Sequence, residues 1–179
     1  LCVAAAALVA LPAAAWEADA LLSDATISWV GEASGDSAAT AVAHVGDVDG
    51  DGYDDVVVGA YYNAEGGAAA GQSYLVLGRD SGWTLAESLA SADASFVGEA
   101  AYDASGATLS GVGDVNGDGY DDFVIGAWAN GENGFRSGQS YLVLGRASGW
   151  ALGESLAYAD ASFQGEASSD YASAYHGLG

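Results

Sequence analysis

Gly46-Asp47-Val48-Asp49-Gly50-Asp51-Gly52-Tyr53-Asp54-Asp55-Val56-Val57-Val58-Gly59-Ala60 is the stretch whose reading decides the fold. It returns 67 residues later as Gly113-Asp114-Val115-Asn116-Gly117-Asp118-Gly119-Tyr120-Asp121-Asp122-Phe123-Val124-Ile125-Gly126-Ala127. Counted from Asp47 or Asp114, side-chain oxygens fall at positions 1, 3, 5 and 9, with a glycine at position 6. Alternate residues of a tight loop can turn their oxygens inward, and calcium takes about 6–8 of them. The first loop offers the carboxylates of Asp47, Asp49, Asp51 and Asp55 and the carbonyl of Tyr53. The second offers Asp114, Asn116, Asp118, Asp122 and the carbonyl of Tyr120. Two Ca²⁺ sites are expected, with Gly52 and Gly119 supplying the positive φ that such a turn requires.

The first three acidic positions also fit an EF-hand. That loop needs a closing Glu at position 12 and helices on both sides. Position 12 is Val58 or Ile125, and the residues that follow the loop are β-branched and aromatic, as in a buried strand. Ala41-Val42-Ala43-His44-Val45 before the loop is also short and apolar. The expected unit is strand, calcium loop, strand. A bare Asp-Gly or Asn-Gly hairpin would need no metal. It would equally not need packed carboxylates, which repel one another unless a cation neutralises them.

The pattern resembles the FG-GAP repeat of integrin α-subunit β-propellers and of secreted bacterial proteins. The Gly-Asp-Val-Asn-Gly-Asp-Gly-Tyr-Asp-Asp run followed by Val-Ile-Gly-Ala carries the likeness. There are two departures. The "FG" element appears as Trp29-Val30-Gly31, Phe96-Val97-Gly98 and Phe163-Gln164-Gly165, with one residue inserted. The proline of "GAP" is replaced by Tyr61 and Trp128. Neither departure touches the metal ligands.

The period extends beyond the loops. Gly71-Gln72-Ser73-Tyr74-Leu75-Val76-Leu77-Gly78-Arg79 recurs as Gly138-Gln139-Ser140-Tyr141-Leu142-Val143-Leu144-Gly145-Arg146, and Ser81-Gly82-Trp83 as Ser148-Gly149-Trp150. A repeat of this length with four short strand patterns suits a propeller blade. Strands are expected at about 39–46, 55–61, 72–78 and 94–98, then at 106–113, 122–128, 139–145 and 161–165. A helical turn is allowed at Leu85–Leu89. The expected fold is all-β: a partial β-propeller with two complete four-stranded antiparallel blades, about 38–98 and 105–165, plus flanking strands, and calcium loops between first and second strands. Residues 26–30 match only a fourth strand. Gly177-Leu178-Gly179 matches the approach to a third loop, so a further Asp-x-Asp/Asn-Gly-Asp-Gly is expected beyond it.

Residues 1–15 are an apolar run ending in Ala13-Ala14-Ala15 and resemble the core and cleavage site of a secretory signal peptide that has lost its start. Residues 16–23 read as a linker and 24–179 as the propeller portion. The run is shorter than the roughly 20 residues a membrane-spanning helix needs. The mature chain is therefore expected to be secreted or held at a cell surface, without membrane insertion. Cys2 is the single cysteine, so no internal disulfide can form.

Asp+Glu number 25 against 3 for Lys+Arg, a net charge of −22, which argues against nucleic acid and anionic membrane as partners. Nine of these acids lie in the two loops. No catalytic constellation is apparent. His44 and His176 lack a serine or cysteine partner at an interpretable spacing, and the clustered carboxylates belong to calcium. The chain is read as no enzyme. An A-B-C-D meander puts the calcium loops and the third-to-fourth-strand segments on one rim, and the remaining loops on the other. The resemblance implies ligand binding on that second rim, where loops on a rigid scaffold carry function. Candidates are Tyr61, Tyr62, Asn63, Trp128, Asn130, Phe135 and Arg136, meeting a protein or glycan ligand. The period-locked Trp29, Phe96, Phe163, Tyr74, Tyr141, Trp83 and Trp150 read instead as core. The expected function is a secreted calcium-binding module that scaffolds ligand binding or adhesion. The alternative is an accessory propeller region of a larger exported hydrolase.

Overall fold

The computed structural model describes residue 25 and residues 27–172. The signal-peptide and linker readings, His176 and the approach to a third loop lie outside these described residues. Among the described residues eleven short strands form three sheets. In the first blade β2 (Ala38–Gly46), β3 (Asp55–Ala60), β4 (Gln72–Val76) and β6 (Ala94–Val97) run antiparallel, each beside the next. The second blade repeats this with β7 (Ser105–Gly113), β8 (Asp122–Ala127), β9 (Gln139–Val143) and β11 (Ala161–Gln164). The register repeats as well: Val57 pairs with Leu75 as Val124 does with Leu142. These are open sheets of a partial β-propeller. Among the described residues no helix is long and apolar enough to cross a membrane.

The third and fourth strands are joined by a segment with its own small structure. β5 (Glu87–Ser88) is followed by one 3₁₀ turn, Leu89–Ser91, capped by the Ser88 hydroxyl. β10 (Glu154–Ser155) and Leu156–Tyr158 repeat it. The helical turn allowed at Leu85–Leu89 is thus displaced towards its C-terminal end, because Glu87 and Ser88 are drawn into a strand pairing. That pairing runs between blades. β10 lies parallel to β6, with Glu154 opposite Phe96 and Ser155 opposite Val97. β1 (Trp29–Val30) pairs in the same parallel sense with β5.

The core lies between the sheets. β3 is buried at every residue, as expected of a strand covered on both faces. Val45, Val48, Val57, Leu75, Ala94 and Phe96 of the first blade share one cluster with Phe123, Ile125, Tyr141, Val143 and Leu156 of the second. Phe96 meets Phe123 and Trp150 edge-on at centroid distances of 5.6 and 6.3 Å. Ile27 and Trp29 pack on the other side of the first blade, against Val56, Val58, Tyr74 and Val76. One core expectation is corrected: Phe163 is exposed, because among the described residues no further blade covers that face of the second blade.

Candidate functional site

The loop between β2 and β3 is organised by its own carboxylates. Asp47 Oδ1 accepts from the amides of Gly50 at 2.7 Å and Asp51 at 3.0 Å, and Oδ2 accepts from Gly52 at 2.9 Å. Asp49 accepts from Asp51 N, and Asp51 from Tyr53 N. Asp55 closes the loop from inside: Oδ2 takes the Val48 amide at 2.7 Å and Oδ1 the Gly78 amide at 2.6 Å. Gly52 has φ +94° and Gly119 +95°, as the turn demands.

The loop between β7 and β8 repeats these bonds. Asp114 gathers the amides of Gly117, Asp118 and Gly119. Asn116 accepts from Asp118 N, Asp118 from Tyr120 N, and Asp122 from Val115 N and Gly145 N. The loops differ at position 3, where Asn116 donates through Nδ2 to Asp118 Oδ2 at 2.8 Å.

In the first loop three carboxylates, without Asp51, come close enough together to suit a hard cation. Asp47, Asp49 and Asp55 each present one carboxylate oxygen within 4.8 Å of the others. Two oxygens on one Ca²⁺, each at about 2.3–2.6 Å, are separated by no more than about 5 Å. Among the described residues no protein cation competes for them. The chain has three basic residues, Arg79, Arg136 and Arg146. Arg79 pairs with Glu87, Arg146 with Glu154, and Arg136 lies over Trp128 and Phe135. His44 Nε2 sits 2.9 Å from Asp54, outside the oxygen cluster.

Burial divides the loops electrostatically. The first is half covered, and Asp49 is raised above the usual carboxylate range by burial, its one backbone bond being too weak to offset this, with Asp51, Asp47 and Asp93 adding repulsion. Asp55 is pushed up to about 6, again chiefly by burial, against the lowering from its two amide bonds. Asp114 is held below its ordinary value by the Gly119 amide first, then by those of Gly117, Asp118 and Asn116.

On the opposite rim the β3–β4 loop lies beside the segment leading into β7. Tyr102 N donates to Ala68 O at 2.7 Å, and Ser105 N to Ala70 O at 2.9 Å. Tyr61 and Tyr62 stack with centroids 4.2 Å apart. Phe135 and Arg136 are exposed, and the Arg136 guanidinium lies 5.0 Å from the Trp128 ring, which also faces Tyr171. Asn63 and Asn130 are not ligand groups. Both are buried, and their amide nitrogens donate to Asp36 and Asp103, tying one loop to its neighbour.

Sequence reasoning missed the floor of this rim. Glu99, Tyr102, Asp103 and Glu132 join Phe135 and Arg136 around a groove of about 810 Å³. Burial raises Glu99, and Glu132 and Asp103 add to it. The acids were readable as a pair of loops sharing one rim, but their convergence needed the strand geometry.

The FG-GAP repeat family matches residues 38–76 and 105–143, the first three strands of each blade. The chain carries two FG-GAP repeats. It is similar to integrin alpha-PS2 of Drosophila melanogaster, 37% identical over 110 residues, which cover 59% of this chain and 7% of that protein. Each matched segment contains one complete loop and the Tyr61 or Trp128 position, while the "FG" elements at 29–31, 96–98 and 163–165 fall outside both segments.

Proposed function

We propose that this FG-GAP chain is a calcium-binding, non-catalytic scaffold for ligand binding or adhesion, exported to the cell surface or beyond it. The observation that carries the metal reading is the approach of Asp47, Asp49 and Asp55 oxygens to within 4.8 Å of one another, with every arginine engaged elsewhere. Asp51 and the Tyr53 carbonyl complete the first donor set; Asp114, Asn116, Asp118, Asp122 and the Tyr120 carbonyl form the second. Bound calcium neutralises the loop carboxylates and holds the β2–β3 and β7–β8 turns rigid. Likeness to an integrin α chain supports a role outside the cell and a protein partner, with a glycan as the other candidate class.

Ligand binding is assigned to the rim away from the metal, at Tyr61, Tyr62, Trp128, Phe135 and Arg136 with the adjoining acidic groove. Exposed aromatics and arginine are favoured anchors of interfaces. Equilibrium dialysis of the folded chain against Ca²⁺ tests the metal reading. Two ions per chain are expected, falling to one in Asp51→Ala or Asp118→Ala. Uptake of none overturns it.

A further inference from the structure

Asp121 does not belong to the proposed donor sets, yet its carboxylate leaves its own loop. Oδ2 accepts from the Asp47 amide at 3.0 Å, and the Asp121 amide donates to the Asp47 carbonyl at 3.1 Å. Asp47 opens the first loop, while Asp121 stands between Tyr120 and Asp122 of the second. A neighbouring bond runs the same way, from the Arg146 amide to the Val48 carbonyl at 2.8 Å. The approach is close enough that a Cβ on Gly46 would overlap Asp121 Oδ2. A Cβ on Gly50 would meet the Tyr120 ring at 2.7 Å. Asp54 holds the same loop position one period earlier, but its exposed carboxylate pairs with His44.

We propose that Asp121 is a positioning residue that couples the two metal loops, so that calcium in one raises the affinity of the other. This rests on the calcium reading above. The Asp47 side chain organises the first loop by gathering three amides, and its backbone direction is fixed by the reciprocal bonds to Asp121. A cation that immobilises the Tyr120 carbonyl and Asp122 also immobilises the residue between them. That restraint passes to Asp47 through two hydrogen bonds, one of them to a carboxylate and therefore among the stronger kind. Coupling of binding free energies is reciprocal, so the first loop acts on the second to the same degree.

Calcium titration into the calcium-free full chain tests this in two steps. In Asp118→Ala only the first loop is left intact, and its affinity is expected to be several-fold weaker than in the unsubstituted chain, whose two sites titrate cooperatively. In an Asp121→Ala background the coupling is expected to vanish, so that adding Asp118→Ala no longer changes first-loop affinity. Asp121→Asn, which keeps an acceptor oxygen, restores most of the coupling. The first comparison leaves Asp121 untouched and survives any misfolding of the Asp121 variants. Equal first-loop affinity in the unsubstituted chain and Asp118→Ala, or an undiminished effect of Asp118→Ala when Asp121→Ala is present, overturns the coupling through Asp121 and leaves the calcium reading intact. Failure of the unsubstituted chain to take up any calcium removes both.

Discussion

Phe96 and Phe163 occupy equivalent places in successive blades, yet Phe96 is 3% exposed and Phe163 62%. The difference is neighbourhood alone. Phe96 is seated on Phe123 and Trp150 of the following blade, whereas no described sheet follows Phe163. The same contrast separates Val45 and Val48 from Val112 and Val115. Truncating a buried phenylalanine costs about 3–5 kcal/mol, while surface changes stay within about 0.5 kcal/mol. Phe96→Ala is therefore expected to lower unfolding stability in urea by about 3–5 kcal/mol and Phe163→Ala by less than about 0.5 kcal/mol. Equal losses would mean that the second blade's outer face is covered in solution.

Asp55 and Asp51 are both proposed ligands, but their substitutions separate folding from metal. Asp55 is buried and satisfies the amides of Val48 and Gly78. Removing it orphans two donors, at about 1–3 kcal/mol each for a buried group. Asp51 is exposed and holds one local amide. Thermal denaturation in chelator is expected to show Asp55→Ala strongly destabilised and Asp51→Ala close to the unsubstituted chain. With calcium at about 100 times its Kd, the unsubstituted chain gains about 2.7 kcal/mol per site, and both variants lose the first site's share.

The strands were legible because apolar runs and turn residues agree in both copies. Their ends were less so. β4 and β9 stop at Val76 and Val143, two residues earlier than expected. Leu77 N is drawn to Asp93 and Gly78 N to Asp55, with Leu144 and Gly145 bound likewise by Asp160 and Asp122. Such side-chain capping depends on residues distant in the chain. Period and spacing were enough to propose the loop donors, since each proposed set is local. The bond from Asp121 to Asp47 and the acidic groove were not legible, because both arise where two blades meet. The burial of Asn63 and Asn130 escaped because each is tied to an acid distant in the chain, Asp36 or Asp103.

Asp103 offers a pH signature away from the metal loops. It is buried, and burial raises it above the ordinary carboxylate value despite bonds from Asn130 Nδ2 at 3.0 Å and Ala100 N at 3.2 Å. In the window between its unfolded and folded values the native state holds more protons than the unfolded chain. Stability then falls as pH rises through that window and levels off above it. Asp103→Asn keeps an acceptor and removes the charge. Urea denaturation of calcium-free protein across pH 4 to 7, an interval taken about the ordinary carboxylate value, is expected to show a shallower decline in the variant, the rest coming from Asp49, Asp55 and Glu99. An unchanged pH profile would assign the decline to other acids.

Arg146 holds the inter-blade strap in place. Its guanidinium carbon lies 4.1 Å from the Trp150 ring centroid, and Nη2 is 2.7 and 2.9 Å from the two oxygens of Glu154. Glu154 is the residue that pairs with Phe96 of the preceding blade. Arg79, Trp83 and Glu87 repeat the arrangement under Trp29. A flat guanidinium can stack and donate at once, and an ammonium cannot reproduce both. The pair is partly exposed, which discounts its ionic contribution, so the stacking carries most of the effect. Arg146→Lys is expected to cost about 1 kcal/mol in chemical denaturation. Hydrogen exchange at the β10 amides should rise in step, while exchange at β8 stays slow. If β8 and β10 accelerate together, Arg146 supports the whole second blade rather than the strap.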